Sequence, residues 1–391
     1  MTENPNAALQ PETILTHSGR DPIANRGYVN APVYRGSTIV FPTLDALESP
    51  EPRFDYGRTG NPSSAAVEEI ISELEGAAGT VLAPSGLSAI SLALMTVLSA
   101  GDEVLVTDSA YQPTRRVSDG VLVRMGITVR YYDPRIGAGI EALITAKTKA
   151  IFVESPGSLT FEVQDLPAIV AVAKPRGIAV IVDNSWATPL YYRPLALGAD
   201  IVVHAGTKMF VGHSDAMFGT ASANERWWKA LKDAHLRLGL CASPDDCFLA
   251  ARGLRTLALR MQQHSACSTE MAGWLEGLPG VTRVIHPALP SHPDHAIWAR
   301  DFSGAGSVFS LALEKKPRAA LAAMVDGFKL FAMGWSWGGY ESLALPIHPE
   351  KARSATKWNE PGTILRLHIG LEAIDDLKAD LAAALERYRA A

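Results

Sequence analysis

The feature that most constrains the fold is a series of short apolar runs that alternate with helical stretches in the middle of the chain. The runs are rich in β-branched residues and show no polar alternation: TVLAP at 80–84, DEVLVTD at 102–108, ITVRYYD at 127–133, KAIFVES at 149–155, IAVIVDN at 178–184 and ADIVVHA at 199–205. Continuous apolar character is typical of strands that are buried on both faces. Strand alternating with helix therefore predicts an α/β fold with a mostly parallel, doubly wound sheet.

Composition excludes several classes of protein. The chain has 391 residues, 47% hydrophobic and 20% charged, which is enough for two or three packed domains and excludes a disordered chain. Three cysteines cannot form a disulfide scaffold, and a net charge of -5 gives no basic surface for nucleic acid. Because the sequence has neither an apolar leader nor an apolar run of about 20 residues, we expect a cytoplasmic protein that does not bind membranes. The scarcity of charge favours surface buried between subunits.

Three segments of different character divide the chain. Prolines interrupt residues 1–60 repeatedly, which predicts an arm that lies on another surface rather than a packed unit. Residues 61–248 contain the alternating pattern and form the predicted large domain. Residues 249–391 are less regular and predict a smaller α+β domain, with a strand at 307–313 and a closing helix near 373–389.

Small, polar or charged residues follow several of the predicted strands. They are Pro84 to Gly86, Asp108, Glu154 with Ser155, Asp183 with Asn184, and Gly206 to Lys208. Open parallel sheets bind their ligands beyond the carboxyl ends of the strands, so these residues should face one edge of the sheet. We expect the functional site at that edge.

Four elements at this edge have the chemistry that pyridoxal phosphate requires. Lys208 directly follows a buried strand, where partial desolvation lowers the pKa of an amine and frees it for Schiff-base formation, although a lysine alone is more often a solvated surface residue. Asp183 can keep a pyridine nitrogen protonated. The N–H groups of a helix that begins at Ser85 can bind a phosphate, and Tyr111 can stack on a flat ring.

Eight motifs distributed along the chain carry a resemblance to a known family. They are YGR at 56–58 with Asn61-Pro62, PSG at 84–86, DNSW at 183–186, GTK at 206–208, VGHSD at 211–215, RGLRTL at 252–257, SWGGYESL at 336–343 and LRLHIGLE at 365–372. From about residue 13 to 380 the chain resembles the Cys/Met-metabolism family of fold-type-I pyridoxal-phosphate enzymes. The segments GHSDAM at 212–217 and SWGGYESL are similar to its β-lyase branch.

The resemblance implies the fold of the PLP-dependent transferases, which is aspartate-aminotransferase-like, with pyridoxal 5'-phosphate on the large domain. Lys208 would bind the cofactor covalently and act as the catalytic base and acid, while Asp183 would pair with the ring nitrogen. Tyr111 would stack on the ring and take part in catalysis. The remaining cofactor contacts that the resemblance implies are Ser85, Gly86, Leu87 and Thr207 at the phosphate, joined by Tyr56 and Arg58 from a neighbouring subunit. Position 205 is alanine where many relatives carry a serine, so one phosphate donor is missing.

The same resemblance implies a substrate site and an assembly. Arg366 would grip the substrate carboxylate, and the pocket would be lined by Ser336, Trp337, Tyr56 and Tyr111, with Trp335 standing where the branch has a tyrosine. The implied reaction is β-elimination of L-cystathionine to L-homocysteine, pyruvate and ammonia, in an enzyme that is a carbon-sulfur lyase of methionine biosynthesis. A broader cysteine-S-conjugate β-lyase or cysteine desulfhydrase needs the same steps and stays open. The implied assembly is a homotetramer made of two active dimers.

Other readings of single motifs compete with this one. GWSWG at 334–338 matches the serine-hydrolase pattern G-x-S-x-G, with Glu350 and His368 as formal partners, but the glycines after the serine argue against the required helix. A protein that uses the fold for binding alone is a further alternative. We expect no metal site, because His286, His292 and His295 lie in a Pro-rich segment without ligand spacing, which favours a solvated loop.

Overall fold

The computed structural model describes residues 9–49 and 54–391, and a seven-stranded sheet forms the centre of the large domain. Its strands are β1 (Gly79–Ala83), β2 (Glu103–Thr107), β3 (Thr128–Tyr132), β4 (Thr148–Glu154), β5 (Ala179–Asp183), β6 (Ile201–His204) and β7 (Gly219–Ala223). They lie in the order β1-β7-β6-β5-β4-β2-β3, and the four pairings between β6 and β3 are parallel. The predicted α/β class with a mostly parallel large sheet is confirmed.

The seventh strand, β7, is absent from the sequence prediction. It lies between β1 and β6, antiparallel to both, and all five of its residues are buried. Its sequence GTASA lacks the β-branched apolar run that marks the other strands. Small residues are required at its start, because a Cβ added to Gly219 would lie 2.2 Å from the carbonyl oxygen of Ser85.

Some of the helices cover both faces of this sheet, and others belong to the small domain. In chain order they are α1 (Pro11–His17), α2 (Leu44–Leu47), α3 (Pro62–Glu75), α4 (Gly86–Val97), α5 (Gln112–Arg116), α6 (Leu166–Ala173), α7 (Thr188–Tyr191), α8 (Glu225–Leu238), α9 (Pro244–Arg255), α10 (Leu257–Leu275), α11 (His295–Asp301), α12 (Arg318–Val325) and α13 (Ile374–Ala390). α4 and α8 pack on one face of the sheet and α6 on the other. Burial from two sides explains why the strands are apolar throughout.

A four-stranded antiparallel sheet forms the small domain. Its strands are β8 (Val281–Ile285), β9 (Val308–Leu313), β10 (Leu343–Ile347) and β11 (Thr363–His368), in the order β10-β11-β9-β8. α10, α12 and α13 pack against it around a core that includes Met271, Met324 and Leu381. The strand predicted at 307–313 and the closing helix predicted near 373–389 correspond to β9 and α13.

The predicted arm is only partly detached from the rest of the chain. Its helix α1 buries Ile14 and Leu15 in a core with Ile70 of α3, whereas Ile23 is 93% exposed and Val40 is 85% exposed. The prolines of this segment predict an unpacked arm and do not indicate that α1 is part of the core. Residues 1–8 and 50–53, which belong to the predicted arm, lie outside the described residues.

The predicted domain boundary between residues 248 and 249 lies within α9, and the division of the chain at that point stays a prediction. In the described ranges, none of the helices is both long enough and apolar enough to cross a bilayer.

Candidate active site

Lys208 lies in the turn that follows β6 and is the centre of the predicted site. Its Nζ donates a hydrogen bond to Ser336 Oγ at 2.7 Å and lies 5.4 Å from the centre of the Trp337 ring. The structure therefore brings together a lysine of the large domain and two predicted pocket residues that are about 130 positions away in the sequence. Burial, helped by the positive charge of Arg366, lowers the pKa of Lys208 to about 8. The environment thus increases the fraction of neutral, nucleophilic amine at neutral pH.

Asp183 ends β5 and is held in place by the residue two positions further on. The N–H and the hydroxyl of Ser185 donate to Asp183 Oδ1 at 3.0 and 2.6 Å, and the same hydroxyl accepts a hydrogen bond from the Ala205 N–H at 2.7 Å. Burial raises the pKa of Asp183, and the hydrogen bonds from Ser185 oppose that rise. Among the described residues, no donor reaches Asp183 Oδ2. A protonated pyridine nitrogen fits this carboxylate, because it would supply the missing donor and a compensating charge.

Tyr111 lies beside Asp183 at the start of α5, with 46% of its surface exposed. Its N–H donates to Glu154 Oε2 at 2.7 Å, and Glu154 is paired with Asp183 across β4 and β5. Burial and the charge of Asp183 raise the pKa of Glu154 well above its usual range. The sequence marked Glu154 at the sheet edge but assigned it no role, and the structure places it against the backbone of Tyr111.

The amino end of α4 is the predicted phosphate site. Ser85 caps the helix by accepting a hydrogen bond from the Ser88 N–H at 3.2 Å, which leaves the first N–H groups of the helix without intrahelical partners. Gly86 allows a close approach to the neighbouring turn, because a Cβ at this position would lie 2.6 Å from the Ala205 Cβ. The open N–H groups and the crowded backbone fit an anion cradle.

Thr207 is already engaged within the protein. Its hydroxyl donates to the Phe218 carbonyl at 3.0 Å and accepts from the Phe218 N–H at 2.8 Å. The side chain therefore supports the turn before Lys208, and a phosphate contact from its hydroxyl would replace the bond to Phe218. Ala205 has no hydroxyl to contribute.

Arg366 lies on β11 and is buried, but it forms no ion pair with any residue that the structure describes. Its Nη2 donates to the carbonyl oxygens of Gly334 and Ser336 at 3.1 and 3.0 Å. Burial lowers its pKa to about 10, which reflects a cation short of compensating charge. An unpaired guanidinium with Nη1 and Nε still available fits the carboxylate of an amino acid.

The serine-hydrolase alternative does not agree with the structure. The Ser336 hydroxyl accepts from Lys208, and the His368 ring contacts the backbone of Gly338 and Gly339 at 3.2 Å rather than the serine. The segment around Ser336 forms no strand-turn-helix elbow, and Glu350 pairs with His348.

Tyr56 and Arg58 do not contact the other predicted site residues within one chain. Arg58 Nη1 donates to the Leu236 carbonyl at 3.0 Å, and Tyr56 is 47% exposed. The Tyr56 ring is accessible on the surface of the single chain, and the contribution of Tyr56 and Arg58 to a neighbour's site stays a prediction.

The histidine segment corrects one expectation. His286 and His292 are buried, not solvated, because the segment packs beneath β9 and against the large domain. The Nδ1 atoms of His286 and His292 each accept a backbone hydrogen bond at 3.2 Å, from Ala288 and Asp294. Within the ranges 9–49 and 54–391, no group of three potential ligands is arranged for a metal ion.

Comparison with known proteins agrees with the family that the sequence motifs predict. The family model described as Cys/Met metabolism PLP-dependent enzyme matches residues 12–386. A putative cystathionine beta-lyase from Rhizobium johnstonii is 48% identical over 94% of each chain, and the cystathionine beta-lyase of Escherichia coli is 41% identical over 96% of this chain and 98% of its own. An L-alanine/L-glutamate racemase from Wolbachia pipientis is 38% identical over 97% of this chain and 98% of its own.

A solved structure has the same architecture. Cystathionine gamma synthase from Xanthomonas oryzae pv. oryzae, in complex with cystathionine, has a TM-score of 0.90 at 33% identity and covers 97% of this chain and 99% of its own. The predicted fold, family and cofactor are therefore confirmed, and the cofactor-binding roles of Lys208, Asp183 and the start of α4 stay predictions. The chain belongs to the Cys/Met metabolism family of pyridoxal-phosphate-dependent enzymes.

Proposed function

We propose that this protein is a cystathionine β-lyase, a carbon-sulfur lyase that converts L-cystathionine and water into L-homocysteine, pyruvate and ammonia. The observation that carries this proposal is the placement of the Lys208 amine, with a lowered pKa and a hydrogen bond to Ser336, near the unpaired Arg366 guanidinium. Relatives named cystathionine beta-lyase at 39–48% identity over nearly the whole chain support it.

The cofactor supplies an electron sink that accepts the electron pair of a broken Cα–H bond. Asp183 Oδ2 would hold the ring nitrogen in its protonated form, and Ser185 fixes the carboxylate for this purpose. The Tyr111 ring would lie on one face of the cofactor, and the N–H groups of Gly86 and Leu87, with Ser85 and Thr207, would hold its phosphate.

Lys208 would carry the proton between the two reacting atoms. A neutral Nζ removes the Cα proton, and the resulting ammonium then protonates the departing sulfur, so the Cβ–S bond breaks with homocysteine leaving as a thiol. The pKa near 8 suits both directions of transfer at neutral pH. Ser336 Oγ, which accepts a hydrogen bond from Nζ at 2.7 Å, would orient the amine for these transfers once substrate has released it from the cofactor.

Arg366 would orient the substrate by its α-carboxylate. The two carbonyl oxygens that it already holds, those of Gly334 and Ser336, fix the plane of the guanidinium and keep Nη1 free for the substrate. Trp337 would pack against the thioether chain, while Trp335, which is 80% exposed, would shape the outer end of the pocket.

The working unit in this proposal is a homotetramer of two active dimers in the cytoplasm. Its support is the arm, on which Ile23, Val40 and Leu44 are exposed apolar residues that a second subunit would cover. Tyr56 and Arg58 would then reach the cofactor phosphate of the neighbour.

Two related activities give alternative outcomes of one experiment. A broader cysteine-S-conjugate β-lyase would use the same residues with a smaller leaving group. A racemase would return the Cα proton instead of breaking a bond at Cβ, and the relative named as a racemase makes this outcome worth measuring.

The test is a substrate panel with purified holoenzyme. Pyruvate release from L-cystathionine, L-cysteine and S-methyl-L-cysteine is compared with loss of optical rotation from L-alanine. We expect the highest kcat/KM for pyruvate release with L-cystathionine, and no activity in Lys208→Ala. A higher kcat/KM with S-methyl-L-cysteine would favour the broader lyase, and turnover of L-alanine alone would overturn the lyase proposal.

A further inference from the structure

Asp108 is a buried carboxylate at the end of β2 that the proposed function leaves without a role. It is 1% exposed, and both of its oxygens are saturated with hydrogen bonds. Oδ1 accepts from the Ser354 N–H at 2.9 Å, the Ser354 hydroxyl at 3.1 Å and Arg115 Nη1 at 2.9 Å. Oδ2 accepts from the Ala355 N–H at 3.1 Å and from the N–H and hydroxyl of Thr356, both at 2.7 Å.

These donors come from two parts of the molecule. Ser354, Ala355 and Thr356 lie in the loop between β10 and β11 of the small domain, whereas Asp108 and Arg115 belong to the large domain. Arg115 completes the connection by donating to Ser354 Oγ at 2.7 Å. We call these five residues the Asp108 clamp. Burial opposes ionisation of Asp108, but the hydrogen bonds outweigh it and lower the pKa of Asp108 to about 2, so this carboxylate is charged at neutral pH and pairs with Arg115.

The clamp encloses the turn that carries Tyr111. Asp108 lies three residues before Tyr111, and Arg115 lies four residues after it, with the Arg115 N–H bonded to the Tyr111 carbonyl at 3.2 Å. The Tyr111 hydroxyl has no hydrogen bond to any described residue, so the backbone of the turn fixes the ring. On one side the Tyr111 N–H is tied to Glu154, and on the other the clamp ties the turn to the small domain.

We propose that Asp108 is a positioning residue for the Tyr111 ring, because it fixes the turn that carries the ring to the loop at 354–356. The inference rests on the proposed function, in which Tyr111 stacks on the cofactor. An aromatic ring that must lie flat against another ring tolerates little displacement, and a shift of about 1 Å in an active site can lower activity by about 100-fold. An anchor from the opposite domain sets this position more firmly than the short α5 helix can.

The test compares Asp108→Asn with the matched control Asp294→Asn in the holoenzyme. Asp294 is also a buried carboxylate between the domains, 6% exposed, and it accepts from Arg135 Nε at 2.7 Å and from the Val163 N–H at 3.1 Å. It does not contact the Tyr111 turn. Asp108→Asn should change the visible circular dichroism of the bound cofactor and lower kcat/KM for L-cystathionine by about 10- to 100-fold. Asp294→Asn should keep the wild-type spectrum and lose less than threefold in kcat/KM.

A double-mutant cycle separates positioning from general domain contact. In a Tyr111→Ala background, Asp108→Asn should cause less than a twofold further loss, because the ring that it positions is gone. If the two effects multiply, or if both asparagine variants alter the spectrum alike, the inference is wrong. If Asp108→Asn does not fold, Thr356→Val decides, since it removes one hydroxyl donor and leaves the large domain unchanged. It should alter the visible circular dichroism relative to the wild-type holoenzyme, and an unaltered spectrum would overturn the inference.

Failure of this inference can be distinguished from failure of the proposed function. Wild-type enzyme that binds cofactor but releases no pyruvate from L-cystathionine would contradict the proposed function alone. Wild-type enzyme with full lyase activity, together with an Asp108→Asn variant of unchanged spectrum and kcat/KM, would contradict the Asp108 proposal alone.

Discussion

The environment of Lys208 makes a quantitative prediction about how the cofactor-free protein captures its cofactor. Burial and the Arg366 charge both destabilise the ammonium, which lowers the pKa of Lys208 to about 8 from the ordinary 10.5. At pH 7 an amine with a pKa of about 8 is roughly 9% neutral, whereas an amine at 10.5 is roughly 0.03% neutral, a difference of about 300-fold. Only the neutral amine attacks an aldehyde, so the lowered pKa should speed capture at pH 7, by less than this factor because a less basic amine is also a weaker nucleophile.

The assay follows the visible absorption of the bound cofactor after cofactor-free protein is mixed with pyridoxal phosphate at a series of pH values. The sign follows from the lowered pKa: the rate should rise about tenfold per pH unit below 8 and level off above it. The matched reference is Nα-acetyl-lysine under the same conditions, which cancels the titration of the aldehyde itself and continues to rise towards its own higher pKa. A protein rate that parallels this reference without levelling near 8 would refute the reasoning.

Arg366→Gln tests the second cause of the shift. Removing the positive charge should raise the pKa of Lys208 and move the plateau to higher pH, but the plateau should stay below that of the free lysine, because burial is the larger cause. A plateau that is unmoved or moves to lower pH would show that the Arg366 charge does not act on the amine.

Three further predictions follow from the site and the core. Arg366→Lys should lower kcat/KM by roughly 10- to 100-fold, because charged hydrogen bonds contribute about 1.5–3 kcal/mol each and an ammonium cannot form the paired hydrogen bonds of a guanidinium. An unchanged kcat/KM would contradict the proposed binding of the substrate carboxylate by Arg366. Ser185→Ala should weaken cofactor binding about 5-fold in an equilibrium titration, because Asp183 loses the hydrogen bond from the Ser185 hydroxyl. Ser185→Thr keeps a hydroxyl and should bind the cofactor as wild type does. Equal affinities for all three proteins would contradict this. Burial lowers the pKa of His286 and of His368 to about 3, so at these two positions only the unfolded chain gains a proton as pH falls from about 6.5 towards 3. The free energy of urea unfolding should decline over that range, and less steeply in His286→Gln. Stability that is constant or rises on acidification would contradict this.

The sequence was sufficient to predict most of the strands that are buried on both faces of the large sheet. β2, β4, β5 and β6 are continuous apolar runs, and a polar residue at the end of each marks the active edge of the sheet. β7 was missed because GTASA is buried by its position between two strands, not by its own hydrophobicity. A sequence pattern predicts a buried strand only when the strand's own side chains are strongly apolar.

Residues proposed to contact the cofactor or substrate have a clearer local sequence pattern than the residues that support them. Asp183 is the last residue of β5 and Lys208 lies in the turn after β6, so their location at the sheet edge could be inferred from local pattern. Ser185 could not be assigned, because its hydroxyl acquires a role only when β5 and β6 bring Asp183 and Ala205 together. The Asp108 clamp joins positions 246 to 248 residues apart, a separation at which single-sequence patterns carry no information.

The buried histidines show the same limit. His286 and His292 follow the composition of a solvated loop, with prolines on both sides, yet the chain folds them beneath β9 and against the large domain. Their burial depends on packing between domains, which is a property of the assembled chain and not of the segment.

The identity of the oxo acid released from L-cystathionine tests the central claim most directly. Cleavage of the Cβ–S bond gives pyruvate and homocysteine, whereas cleavage of the Cγ–S bond gives 2-oxobutyrate and cysteine. The account predicts pyruvate and homocysteine in equal amounts from the wild-type enzyme and neither product from Lys208→Ala. If 2-oxobutyrate and cysteine were the main products, the site would be a γ-lyase and the account would be contradicted.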